Sequence, residues 1–301
     1  MYNNVLILGN GFDLDLGLKT RYSDFAASDE WKMCANQKSK LYKYLNKKKD
    51  LARWFDLEQE LCNYANYKAL RFFTYEEDKR YFRDLHQGLQ QYLQKQLKEN
   101  INVKSCASDV LRAVVANGLF GNIYSFNYTD LNIYAEQLGI KINSKCHYIH
   151  GCLSNESLIL GVDGRRLKSK YDFLRKTMSS YYHSHNLFQD LNAANEVIFF
   201  GLSFGDIDFT YFKDFFKSQS NGENLGGSKK KITIITWNEE SRRDILLKLH
   251  MMDFDLQMLY GQVYFQLITV SEEKDKVYLS ELFERLEKYN YNNTLIGSLI
   301  N

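Results

Sequence analysis

Side chains that could bind, orient or move a proton recur in this chain at one kind of place, directly after a short apolar run. Gly9, Asn10, Gly11 and Asp13 follow Val5–Leu8, while Asn127, Thr129 and Asp130 follow the run at Asn122–Phe126. His150 and Gly151 follow His147–Ile149, Gly201, Ser203, Asp206 and Asp208 follow Val197–Phe200, and Asn238 and Glu239 follow Ile232–Thr236. His150 carries the side chain whose ordinary pKa lies nearest neutrality and could act as a base. Asn127 has a donor and an acceptor in one group and could orient a polar ligand or an attacking water. Gly9 and Gly11 read as a tight turn from strand into helix, where the backbone can approach a ligand closely. The helix start there suits an anion, most simply a phosphate. The motif is G-x-G without the third glycine of the dinucleotide fingerprint, so a plain tight turn is the competing reading.

Each of these residues also has a structural role open to it. His150 could be a buried strand-end imidazole hydrogen-bonded to backbone. Asn127 could cap the helix beginning near Thr129, and Asp206 and Asp208 could be first-turn carboxylates favoured by the helix dipole. Asp13 is the odd choice beside a phosphate, which it would repel unless turned away or bridged by a cation. His147 and His150 form H-x-x-H and with Asp13, Asp130 or Asp208 could hold a divalent metal, but residues three apart on a strand face opposite sides unless the strand ends between them, so no metal site is expected. In Trp54-Phe55-Asp56-Leu57-Glu58-Gln59-Glu60-Leu61, the acidic residues read as an exposed helix face, with Asp56 or Glu58 able to turn into a cleft.

The elements that must position these groups follow from apolar periodicity. Short apolar runs at Asn122–Phe126, His147–Ile149, Val197–Phe200, Ile232–Thr236 and Val263–Leu267 alternate with helical patterns at Arg166–His183, Thr210–Lys217, Ser241–Met251 and Ser271–Tyr289. That alternation predicts an α/β fold with a doubly wound, mainly parallel sheet covered on both faces. Ligands of such sheets sit outside the carboxyl ends of the strands, where the polar residues above would converge. Between Tyr22 and about Asn117 no strand is evident. Trp54, Leu57, Leu61, Tyr64 and Ala65 recur at helical spacing, as do Tyr81, Leu85, Leu89, Tyr92, Leu93 and Leu97. A core of residues 1–19 and 119–301, interrupted by a helical insertion or cap at 20–118, is therefore expected. Ser218 to Lys231, with Gly222, Gly226 and Gly227, reads as a flexible loop.

Composition narrows the partners. The 301 residues are 45% hydrophobic and 25% charged, and 39 basic residues nearly balance 37 acidic ones. A net charge of +2 provides no global field for nucleic acid. The five cysteines, Cys34, Cys62, Cys106, Cys146 and Cys152, form no C-x-x-C and suggest reduced thiols. No apolar run approaches the ~20 residues of a membrane span. Asp13 and Asp15 follow the first apolar run at once, which argues against a signal peptide. A soluble, cytoplasmic protein is expected.

The ordered pieces GNGFDL, GLKT-x-Y-x-DF, W-x-DLE, FNYTD, IHG and FGLSFGDID, spread from residue 5 to about 216, resemble the bacteriophage abortive infection AbiH family. Through it the chain is similar to sirtuin-like NAD-binding proteins, with a Rossmann-type core. The counterparts would be Gly9 and Gly11, Asn127 and Asp130, His150 and Gly151, Gly201 and Ser203, and Asn238. Asp130 lies one residue farther along than the sirtuin spacing, and Phe12-Asp13 replaces the small-Ser ending of that glycine turn.

The resemblance implies a role in antiphage defence and cleavage of the nicotinamide–ribose bond of NAD. His150 and Asn127 would be catalytic, Asn10 and Gly11 would face the pyrophosphate, Ser203 and Asn238 would hold the adenosine half, and Gly9, Asp13, Asp130, Gly201 and Asp206 would also bind the nucleotide. NAD is expected as substrate or ligand, without a metal. A phage trigger or partner protein and a homo-oligomer are the partners to be considered. The alternatives are a nucleotide-sensing module without catalysis and a metal-dependent nuclease or phosphohydrolase.

Overall fold

The computed structural model describes residues 4–51, 56–66, 75–115, 120–163, 167, 169–205, 208–222 and 229–286. Six strands, β1 (Val5–Leu8), β2 (Asn122–Ser125), β3 (Lys145–Tyr148), β4 (Glu196–Phe200), β5 (Lys231–Thr236) and β6 (Tyr264–Thr269), form one sheet in the order β3-β2-β1-β4-β5-β6. Every neighbouring pair is parallel. The central strands β1 and β4 are wholly buried. Along them Val5, Ile7, Val197 and Phe199 face one cluster and Leu6, Leu8, Ile198 and Phe200 the other. Strands covered on both faces must be apolar at successive positions, which is why these runs are continuous and not alternating. The order runs outward in both directions from β1 and β4, as in doubly wound sheets, and puts the topological switch point between these two strands.

Among the described residues seven α-helices precede β2 on the way out from and back to the sheet: α1 (Asn10–Asp15), α2 (Tyr22–Ala27), α3 (Asp29–Met33), α4 (Lys40–Leu51), α5 (Leu57–Asn66), α6 (Tyr75–Gln96) and α7 (Cys106–Val110), the last followed by a π-helical turn at Leu111–Val115. The stripe Tyr81, Leu85, Leu89, Tyr92 and Leu93 of α6 is buried against Phe25, Trp31, Leu41, Leu45, Leu57 and Leu61. Buried Asp78 ties three helices together, accepting from Ser39 Oγ at 2.8 Å, from Leu41 N at 3.0 Å and from Tyr64 Oη at 2.5 Å. The same cluster includes Leu153, Leu158, Leu160, Val162 and Leu174 from beyond β3. Ile101, Ala107, Val110 and Leu111 pack instead on the sheet with Leu6 and Leu8. Trp54 and Leu70 to Thr74 lie outside the described residues, as do Gly226 and Gly227.

One helical expectation fails. Over its described residues the 166–183 stretch forms short 3-10 turns at Ser169–Leu174 and Lys176–Met178. The cause is tertiary: Val162 N donates to Leu174 O at 2.7 Å and Lys176 N to Val162 O at 3.3 Å. Backbone groups that would form a helical ladder are thereby committed to a neighbouring segment. The last strand and helix also shift, to Tyr264–Thr269 and 276–286. No helix among the described residues is long and apolar enough to cross a membrane.

Candidate functional site

At the switch point the loops after β1 and β4 are pressed together. Gly9 N donates to Phe200 O at 2.9 Å and Gly11 N to Gly201 O at 2.8 Å. A Cβ on Gly11 would lie 2.6 Å from Gly201 Cα, and one on Gly201, whose φ is +67°, would lie 2.3 Å from Phe12 N. The glycines make room for each other's backbone, and two amides that a phosphate could take are already bonded to carbonyls. Gly201→Ala should therefore force the two loops apart and add left-handed strain, costing roughly 2–3 kcal/mol. Denaturant unfolding would show it as a lower midpoint with unchanged slope, and a midpoint equal to wild type would contradict this packing.

Near this contact Asp13 is fully buried. Its oxygens accept from Asn127 Nδ2 at 3.0 Å and Thr129 Oγ1 at 2.8 Å. Burial raises its pKa to about 7, against the lowering effect of these donors. Asn127 Nδ2 also reaches Gly9 O at 3.1 Å, so its donor side joins the first and second strand ends. Its carboxamide oxygen is the part left for other partners.

His150, at the end of β3, sits in a different and more highly charged place. Lys176 Nζ lies 3.3 Å from its Nδ1 and 3.4 Å from its Nε2, and Asp208 Oδ1 is 3.6 Å from Nε2. Lys176 is 1% exposed; its ammonium donates to Glu58 Oε2 at 2.8 Å and is 3.9 Å from Asp163 Oδ2. Burial works against the charged lysine, but Glu58, Asp163 and Asp208 together hold its pKa above the usual value. Tyr128 Oη donates to Glu58 Oε1 at 3.1 Å and lies 3.1 Å from Tyr22 Oη. Tyr211 Oη donates to Asp163 Oδ2 at 3.0 Å. Desolvation, with Glu58 and Asp208 nearby, raises the Asp56 carboxyl. Around one imidazole and one ammonium the fold thus collects Glu58, Asp163 and Asp208, backed by Asp56 and three protonated phenols. Phe126 and Tyr211 set their rings edge-on to His150 at centroid distances of 5.5 and 6.3 Å.

Glu58 comes from α5 and Tyr22 from α2, both in the helical segment between β1 and β2. Of the two acidic readings of this helix, the inward one holds for Glu58, which is 7% exposed. The remaining residues disperse. Asp130 caps the helix Leu131–Gln137 through Asn132 N at 2.9 Å and accepts from Tyr148 Oη at 3.0 Å. Asn238 caps Glu239–Met251, accepting from Ser241 N at 2.9 Å. Asn10 Oδ1 accepts from Thr20 Oγ1 at 2.6 Å. Ser203 is exposed, its carbonyl bonded to Lys248 Nζ. Asp206 lies outside the described residues. Among the described residues no three His, Cys, Asp or Glu side chains are grouped to hold a metal ion.

Lys176, Asp163 and Tyr211 were not singled out from sequence, because none lies at a strand end or in a recognisable spacing. Tyr22, Glu58, Tyr128, His150 and Asp208 each fall within one of the short ordered motifs, and the fold brings those five motifs to one cluster. The family model described as "Bacteriophage abortive infection AbiH" matches residues 5–224. No curated protein matches the chain. With most of its length covered, including the first four strands and every residue of the His150 cluster, the chain belongs to the bacteriophage abortive infection AbiH family.

Proposed function

We propose that this protein acts in abortive infection by hydrolysing the N-glycosidic bond of NAD or a related nucleotide, releasing nicotinamide. The observation that carries this reading is the excess of carboxylates around His150, with Glu58, Asp163 and Asp208 facing a single ammonium. Loss of a base from ribose leaves positive charge on the sugar, and fixed carboxylates in a site shielded from water stabilise that charge as it develops. His150 takes the proton of the attacking water. Asn127 positions the ribose through its carboxamide oxygen. Asn10 meets the pyrophosphate after residues 201–205 give way, with Gly9 and Gly11 beside it. The adenosine half extends along the ends of β4 and β5 toward Ser203 and Asn238. A carboxylate-rich site receives phosphate poorly unless a cation bridges the two, and the ammonium of Lys176 already occupies the centre of this cluster.

A second reading, a nucleotide sensor without catalysis, is favoured by closure. His150 is 5% exposed, and the insertion is tied over it by Glu58, Tyr22 and Tyr128. Chromatographic analysis of NAD and ATP incubated with the purified protein, with and without EDTA, separates the readings. Nicotinamide and ADP-ribose from NAD, unaffected by EDTA, are expected. EDTA-sensitive loss of ATP would replace this reading with a metal-dependent hydrolase. Thermal stabilisation by NAD without any product would replace it with the sensor.

A further inference from the structure

Next to the carboxylate cluster, between the exit of β3, the loop 182–187 and the helix Phe209–Ser220, lies a cavity of about 240 Å³ lined in part by Ile149, Tyr182, His183, His185, Leu187 and Tyr211. Pockets that enclose a drug-sized ligand run to about 300–1,000 Å³, so this one suits a single heterocycle and not a dinucleotide. Its position relative to the site is fixed by two residues. Ile149 immediately precedes His150. Tyr211 lines the cavity, lies 6.3 Å from the His150 ring and bonds to Asp163.

Among the described residues the lining contains no carboxylate and no ammonium. Burial, and after it the neighbouring imidazoles of His147, His183 and His150, lower the pKa of His185. His147 supports it from behind: the two rings meet edge-on at 6.3 Å, and His147 is itself stacked on Tyr124 at 4.5 Å and lies 3.0 Å from Asn122 Oδ1. The cavity is thus a slot of imidazole and phenol surfaces beside a concentration of carboxylates.

We propose that this cavity binds the departing base, nicotinamide, while the ribose lies against His150 and the carboxylates; the assignment rests on the glycosidic reading above. In NAD the nicotinamide ring is a pyridinium cation. When the bond from C1′ to the ring nitrogen breaks, its electron pair goes to that nitrogen and the base becomes neutral. Water oxygen then bonds to C1′, and its proton passes to His150. Positive charge therefore moves away from this slot and toward the carboxylates as the bond breaks. Such an arrangement binds the transition state better than the substrate. Adenine, already neutral in its nucleotides, gains nothing from this layout unless it is protonated first.

Saturation-transfer NMR on the full chain tests the assignment, with free nicotinamide and free adenine as probes and His185→Ala and Tyr182→Ala as variants. Tyr182 is 36% exposed, so its truncation leaves the fold intact. Wild type is expected to show transfer to nicotinamide in preference to adenine, with at least a tenfold loss of nicotinamide affinity in each variant. Absence of transfer from wild type, equal transfer in the variants, or preference for adenine would overturn the assignment. NAD turnover measured on the same samples keeps the two ideas apart. Nicotinamide binding without NAD cleavage sinks the glycosidic reading alone, whereas NAD cleavage with product inhibition unchanged in both variants sinks the pocket alone.

Discussion

Lys176→Met is expected to destabilise the protein by about 3–5 kcal/mol, the range found when one member of a buried ion pair is removed and its partner stays charged. Lys176 is 1% exposed and its ammonium is the countercharge for Glu58 at 2.8 Å, Asp163 at 3.9 Å and Asp208. Methionine fills a similar volume, so the cost measures charge and not a cavity. The companion Glu58→Gln should be milder, because Tyr128 can still donate to the remaining oxygen and Lys176 keeps Asp163 and Asp208. Combined with Lys176→Met, it should return part of the lost stability. A double-mutant cycle by denaturant unfolding then yields a coupling that is favourable for the native pair. A loss below about 1 kcal/mol for Lys176→Met, the range of exposed pairs, would mean that the ammonium is solvated and the cluster is not closed.

Asp13 provides the second large effect, and its sign is opposite to that of most carboxylates. The folded pKa is about 7, above the ordinary 3.8, because burial outweighs the donors Thr129 and Asn127. Between about pH 4 and pH 7 the folded protein holds a proton that the unfolded chain has released. Stability from this group is complete below the unfolded pKa and is lost as pH rises through the folded one, at up to ~1.4 kcal/mol per pH unit. Asp13→Asn removes the titration, and its carboxamide can still accept from Asn127 and turn its amide toward the Thr129 hydroxyl. Relative to wild type the variant should therefore gain on the order of 3–4 kcal/mol between pH 4 and pH 8. Unfolding free energies measured across that range check it, and a difference that stays flat with pH would show that Asp13 is ionised in the folded protein.

What could be read from residues alone follows from where each feature is encoded. The runs Val5–Leu8 and Val197–Phe200 announce central strands because both faces need apolar side chains, and the polar residues behind them mark the sheet edge that holds His150. The glycines at 9 and 11 were legible as positions of close approach, but residue type does not say what approaches. Here it is the backbone of the loop after β4. Glu58 lies beside Leu57 on a helix that buries Leu61, Tyr64 and Ala65, so its inward direction depends on the core covering that helix. Lys176 was illegible for a stronger reason. Its segment has helical periodicity and is diverted by backbone pairing with Val162, a contact that exists only once the chain has folded.

The most direct measurement compares nicotinamide release from NAD by wild type and by His150→Ala, with thermal unfolding of both to confirm that the variant is folded. General base catalysis contributes about 10²–10⁴-fold, so the variant should lose at least a hundredfold in rate at a temperature where it is still fully folded. Equal rates from a folded His150→Ala, or no nicotinamide from either protein, would contradict glycosidic cleavage at this cluster.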